Sequence, residues 1–132
     1  RDLPNTTFWQ LYRAIAVSPT TDVGMVQRLQ VGIDEGDPMQ RSLALYWLGR
    51  MTLDDGSTIE QDTALVRLIR VAALFGGDYP DVASESLLLV MRHLQETGDA
   101  VGAVSVRREI LERYRTTAAA DQIQRKSGAA DR

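Results

Sequence analysis

Apolar residues recur along this chain at three- and four-residue intervals, the spacing of one face of an α-helix. Phe8, Leu11, Tyr12, Ile15 and Ala16 form the first such face, with Asn5, Thr6 or Thr7 placed to cap it and Ser18-Pro19 to end it. Thr21 or Asp22 opens a second helix whose face is Met25, Val26, Leu29 and Ile33. Glu35-Gly36-Asp37-Pro38 stops it and starts a third, with Asp37 as N-cap and Pro38 at the first helical position. The third helix carries Leu43, Leu45, Tyr46, Trp47, Leu48 and Met51; it is apolar around most of its circumference and is predicted to be central.

Asp54-Asp55-Gly56 ends the third helix, and Ser57 with Glu60 has the spacing of a capping box for a fourth, with Leu65, Leu68, Ile69, Ala72 and Ala73 on its predicted face. Gly76-Gly77-Asp78-Tyr79-Pro80 is the strongest break in the chain. Asp81 or Ser84 opens the fifth helix, whose core side is Leu87, Leu88, Val90, Met91 and Leu94. After a short turn at Gly98-Asp99 the sixth carries Ala103, Val106, Ile110, Leu111 and Tyr114. Thr116-Thr117 can cap a further short helix over Ala118 to Gln124, and residues 126–132 read as a disordered tail. No stretch alternates long enough to compete as a strand, so the fold class is all-α.

The helices pair as hairpins over residues 8–35, 39–78 and 82–115, followed by the short capping helix, in a single domain spanning 1–125. Aligning Leu11/Tyr12, Leu48/Gly49 and Val90/Met91 gives offsets of about forty residues, in the range of stacked helical repeats. A single hairpin cannot bury both faces, so such units stack to complete a core.

The last hairpin resembles a tetratricopeptide repeat (TPR). Leu87, Val90, Met91, Leu94, Gly98, Ala103, Ile110 and Tyr114 fall where that motif has its large, large, small, large, turn, small, apolar and aromatic positions. The middle hairpin looks like a degenerate copy: Leu45, Leu48 and Gly49 match its start, Ala64 and Val71 its second helix, and Tyr79-Pro80 its end, with an extended loop at 54–59. The first matches loosely, with Gly24 where a small alanine is expected. The resemblance spans roughly residues 39–122, and Ala44–Gly49 and Ile110–Tyr114 are similar to phrases in bacterial cell-envelope TPR proteins. It implies a superhelix whose concave groove is lined by the first helix of each pair.

Carried onto this chain, the inward positions implied by the resemblance are Trp9 and Arg13, then Tyr46 and Arg50, then Glu85, Leu88, Arg92 and Gln95. Arg13, Arg50 and Arg92 land on equivalent positions, where guanidiniums could hold acidic side chains or a terminal carboxylate by bidentate hydrogen bonds. The plainer reading of the same arginines is solvation or pairing with nearby Asp and Glu. The expected function is a non-enzymatic adaptor that binds a peptide or protein segment; the alternatives are a self-associating structural module, with a homo-oligomer as its product, or an accessory domain of a larger protein.

Composition narrows the chemistry. Apolar content of 44% and charged content of 25% are those of an ordinary globular protein. A net charge of -3 makes no electrostatic case for nucleic acid. Lys126 is the only lysine among 15 basic residues, a bias that with abundant Ala suggests a GC-rich bacterial genome. The chain has no cysteine, which excludes disulfides and thiolate chemistry. His93 stands alone without a metal or triad partner, Asp54-Asp55-Gly56 fails the ligand spacing of a calcium loop, and Gly76-Gly77-Asp78 lacks the strand and lysine of a phosphate loop. No catalytic, cofactor or metal site is expected, and no run is long enough to insert in a membrane. A start at Arg1 is that of a trimmed or mature fragment and leaves a lost export signal or anchor open; the periplasm or cell envelope is favoured slightly over the cytoplasm.

Overall fold

The computed structural model describes residues 23–55 and 57–130, which form six helices joined by short turns, with no strand among them. The helices are α1 (Val23–Glu35), α2 (Pro38–Asp55), α3 (Thr58–Phe75), α4 (Pro80–Glu96), α5 (Ala100–Arg113) and α6 (Ala118–Ala130). They correspond to the second through sixth predicted helices and the C-terminal one. The predicted first helix, with Trp9 and Arg13, lies outside the described residues.

Each helix packs on the next along the chain, and further contacts run from α2 to α4 and from α4 to α6. Connections of a few residues oblige each helix to return beside its predecessor. The α2 and α4 helices therefore touch neighbours on several sides, which accounts for their composition. Every residue of α2 from Ser42 to Gly49 is buried. The central position predicted from its apolar circumference is thus observed. Leu48, Leu68, Leu88 and Ile110 are among the largest fully buried side chains, each worth about 1.5–3 kcal/mol over exposure.

Cap chemistry fixes where the helices begin. At α2 the Gln40 amide N–H donates to Asp37 Oδ1 (2.8 Å) and the Asp37 N–H donates to Gln40 Oε1 (3.0 Å), a reciprocal box with glutamine in the third position. At α3 the Glu60 N–H donates to Ser57 Oγ and the Ser57 N–H to Glu60 Oε2, the predicted capping box. The α4 helix differs from expectation. It starts at Pro80, ahead of Asp81 and Ser84, with Tyr79 at the N-cap and no side-chain cap bond. Proline at the first position lacks only an N–H that would be unpaired there and has its φ already set. Ser84 instead lies inside the helix, buried, its hydroxyl donating to Asp81 O at 3.0 Å.

Between α4 and α5, Gly98 takes φ +87°. Its N–H donates to Gln95 O (3.3 Å) and that of Asp99 to Leu94 O (2.8 Å), so two carbonyls at the helix end are satisfied by the left-handed turn of a Schellman motif. Asp99 then caps α5 by accepting from the Gly102 N–H at 2.9 Å. At the next junction Thr117 donates from Oγ1 to Tyr114 O (2.6 Å) and accepts from the Ala120 N–H (3.4 Å). Ala119, Ala120 and Ile123 of α6 are buried, and α6 packs on α4 and α5. The α6 helix runs to Ala130 rather than stopping at Gln124, so described residues 126–130 of the expected tail are helical.

The face of α3 is rotated from the predicted one. Ala64, Leu68, Val71 and Ala72 are buried, whereas Ile69 is 46% exposed and Ala73 is exposed. The cause lies opposite, on α2. A Cβ added to Gly49 would sit 2.8 Å from Leu68 Cγ and 3.3 Å from Ala64 O, so the helices approach more closely than alanine permits at that point. Only an edge made of small and flat-fitting residues enters so narrow a seam, and Ala64 with Leu68 supplies it. No helix among the described residues is long and apolar enough to cross a membrane.

Candidate functional site

The side chains expected to line one groove fall on two concavities separated along α4. The first, about 280 Å³, lies between α2 and the start of α4 and is lined by Leu43, Tyr46, Trp47, Arg50, Asp81, Val82 and Glu85. The second, about 230 Å³, lies between the end of α4, α5 and α6, lined by Leu88, Met91, Arg92, Gln95, Arg107, Gln122, Ile123 and Lys126. Arg50 and Arg92 therefore face different spaces, and the expected row of guanidiniums is divided. Trp9 and Arg13 lie outside the described residues.

Within the first concavity Arg50 is held from two directions. Its Nη1 donates to Tyr46 Oη at 3.1 Å, one helical turn back, and its Cζ stands 5.1 Å from the centre of the Trp47 ring. The cation–ring contact is worth about 0.5–2 kcal/mol depending on desolvation. Tyr46 and Trp47 meet edge to face, centroids 5.4 Å apart. Both rings are core residues, at 9% and 8% exposure, and serve mainly as a wall that fixes the guanidinium. Asp81 and Glu85 of α4 line the same space, so its charges are mixed.

Glu85 and Arg92 are two helical turns apart on α4 and both half-buried, with Leu88 between them. Leu88 is only 2% exposed, so it contributes a floor to the second concavity rather than a contact surface. Gln95 is exposed at the rim. A third depression, about 460 Å³, adjoins Arg92 on the α2 side, with Asp54, His93 and Glu96 on its wall. His93 is half-buried there, on the same wall as Leu53 and Asp54 of α2.

Two ion pairs are exposed, each between residues one turn apart on a single helix: Arg113 with Glu109 (3.4 Å) and Arg125 with Asp121 (2.9 Å). Arg50 and Arg92 join neither. At Arg50 the chemistry on offer is hydrogen-bond donation from a guanidinium anchored beside aromatic rings.

Sequence reasoning missed Trp47, Asp81, Arg107, Gln122 and Lys126 as lining residues. Lys126 was legible in principle, since it follows the core residue Ile123 by three positions and so shares its face once α6 is carried past Gln124. Asp81 precedes Glu85 by four and was assigned only a capping role. No family model, curated protein or solved structure matches this chain.

Proposed function

We propose that this domain is a non-enzymatic protein-interaction scaffold of TPR-like stacked hairpins that holds a peptide or protein segment along the open face shared by α2 and α4. The observation that carries the reading is the pairing of half-buried Arg50 and Arg92, outside the described ion pairs, with concavities whose floors are closed by core residues. A rigid floor with anchored donors holds a ligand at little ordering cost. The contacts from α2 to α4 to α6 support the superhelix, since stacked hairpins bring alternate helices together. A bacterial cell-envelope complex is the proposed setting, on the two similar phrases at Ala44–Gly49 and Ile110–Tyr114.

Selection from a displayed library of random peptides tests the reading. Enriched peptides should bind the wild-type domain and lose about tenfold or more in affinity toward R50A/R92A, as expected when charge-assisted hydrogen bonds are removed. Circular dichroism should show both proteins equally folded. Enrichment of nothing, or of peptides indifferent to the double substitution, overturns it.

A second reading, self-association, is favoured by a different observation. The outward side of α3 exposes Ile59, Val66, Ile69 and Leu74, and α5 exposes Val101 and Val104. Light scattering over a range of concentrations separates the two, because an invariant monomer eliminates the assembly.

A further inference from the structure

The outward side of α3 carries a pattern that is symmetric about Val66. Successive helical residues turn by about 100°, so Ile59, Asp62, Val66, Arg70 and Ala73 lie within about 40° of one line, opposite the buried Ala64 and Leu68. All five are exposed, Ile59 at 79% and Val66 at 57%. A helix with one face in the core ordinarily turns polar residues to the other, so large apolar side chains here call for a cover. Asp62 stands four residues before Val66 and Arg70 four after it; Ile59 stands seven before and Ala73 seven after. The acid and the cation of the stripe are thus on opposite sides of its centre. They are about 12 Å apart along the axis, beyond the one-turn spacing at which they could pair on their own helix.

We infer that α3 pairs with the α3 of a second copy of this chain, antiparallel about a two-fold axis at Val66, with Asp62 of each copy bound to Arg70 of the other. In that register each residue faces the one equally far on the other side of Val66. Val66 meets its own counterpart, Ile59 meets Ala73, and the Asp62–Arg70 contact forms twice. A parallel pairing would set acid on acid and cation on cation, so the charges select the antiparallel one. An isologous contact of this kind closes at two copies. The stripe is about 21 Å long, at the small end of specific interfaces, so the dimer is reversible and forms at micromolar or higher concentration. The pairing rests on the self-association reading and confines it to α3. None of the five residues lines the concavities beside α4, so the two surfaces can be tested apart.

Sedimentation equilibrium of the whole chain, from micromolar to millimolar concentration, reads the association. The wild type should pass from monomer to dimer. V66R, which sets two cations on the axis, should weaken dimerisation about tenfold or more. D62R and R70D each put like charges face to face at both contacts and should weaken it similarly, whereas D62R/R70D exchanges the signs and should return it to near the wild-type value. D62R and R70D mixed in equal amounts should form a heterodimer, because each cation then faces an acid. V101E/V104E, at two exposed valines of α5, should dimerise like the wild type. Every substituted side chain is exposed, and circular dichroism should show each variant folded. A wild type that stays monomeric, a D62R/R70D protein no tighter than either single variant, or a V101E/V104E loss equal to that of V66R would overturn the pairing. Whether peptides depend on Arg50 and Arg92 is read separately, so the scaffold reading stands or falls on its own assay.

Discussion

Removing the hydroxyl of Tyr114 should stabilise this domain. The tyrosine is 3% exposed, and its Oη is buried without a hydrogen-bond partner. It lies against Gly76 at the end of α3, where a Cβ would collide with it and would also stand 2.5 Å from Ala72 O. A buried hydroxyl deprived of water and given no partner costs about 1–3 kcal/mol. The space vacated by one oxygen returns a cavity cost of only about 0.3 kcal/mol. Tyr114→Phe is therefore expected to raise stability by about 1 kcal/mol, or about 4 °C in Tm.

Gly76→Ala tests the same contact from the other side. Alone it should cost about 2–3 kcal/mol, because both the Tyr114 hydroxyl and the Ala72 carbonyl must yield. In the Tyr114→Phe background the hydroxyl overlap is gone and only the carbonyl overlap remains. The double-mutant cycle should then show a coupling of about 1 kcal/mol or more, against the near-additivity of separated sites. Urea unfolding of the four proteins, followed by circular dichroism, supplies the numbers. A Tyr114→Phe protein less stable by 1 kcal/mol or more would mean that the hydroxyl is hydrogen-bonded, and an additive cycle that it does not bear on Gly76; either refutes the reasoning.

The remaining predictions concern single features. Burial raises the Tyr114 pKa above the ordinary 10.0, with Arg113 lowering it less and Glu109 raising it least. Above pH 10 the unfolded chain loses that proton before the folded one, so this contribution to stability is intact below about pH 10 and declines as pH rises past it. The wild-type minus Tyr114→Phe difference in urea midpoint should fall as pH rises past 10; a flat difference there rejects the assignment. Gly98→Ala should cost about 1–2 kcal/mol by thermal melting, entirely from the left-handed φ, since an added Cβ meets nothing within 4 Å. Asp37→Ala should cost about 1 kcal/mol by losing the reciprocal cap with Gln40, and Asp37→Asn should recover part of it; equal stability of all three would show the cap to be idle.

The helices were legible because two independent signals agree at their ends. At Asp37-Pro38 and at Ser57 to Glu60 the capping chemistry meets the start of an apolar periodicity, and both helices begin there. Where the signals part, the reading slips. Apolar periodicity alone does not distinguish Leu65 and Ile69 from Ala64 and Val71 as inward residues, although the TPR resemblance matched Ala64 and Val71. The choice is made on α2, by the space over Gly49, and that is a tertiary fact. The same holds for the candidate site. Glu85, Leu88 and Arg92 were placed on one inward stripe by what the TPR resemblance implies; Glu85 and Arg92 are half-buried and Leu88 is buried. That Leu88 sinks to the floor, and that Arg107 and Lys126 join Arg92, depends on how α5 and α6 close over α4.

The division of labour on α4 decides which substitutions can report on binding. Ala83, Leu87, Val90 and Met91 are buried and fix the helix between its neighbours. Glu85 and Arg92, with their charged ends at the open side, make no described ion pair whose loss would unfold the domain. Changing them should have little effect on the core, so variants there can test the proposed binding. Tyr46 and Trp47 offer no such separation. Their rings are buried, so truncating either removes both the wall behind Arg50 and a large part of the α2 packing, at about 3–5 kcal/mol for the tryptophan. A loss of binding in those variants would therefore say little, whereas a loss in an Arg92 or Glu85 variant that melts like the wild type identifies the open side of α4 as the surface that meets a partner.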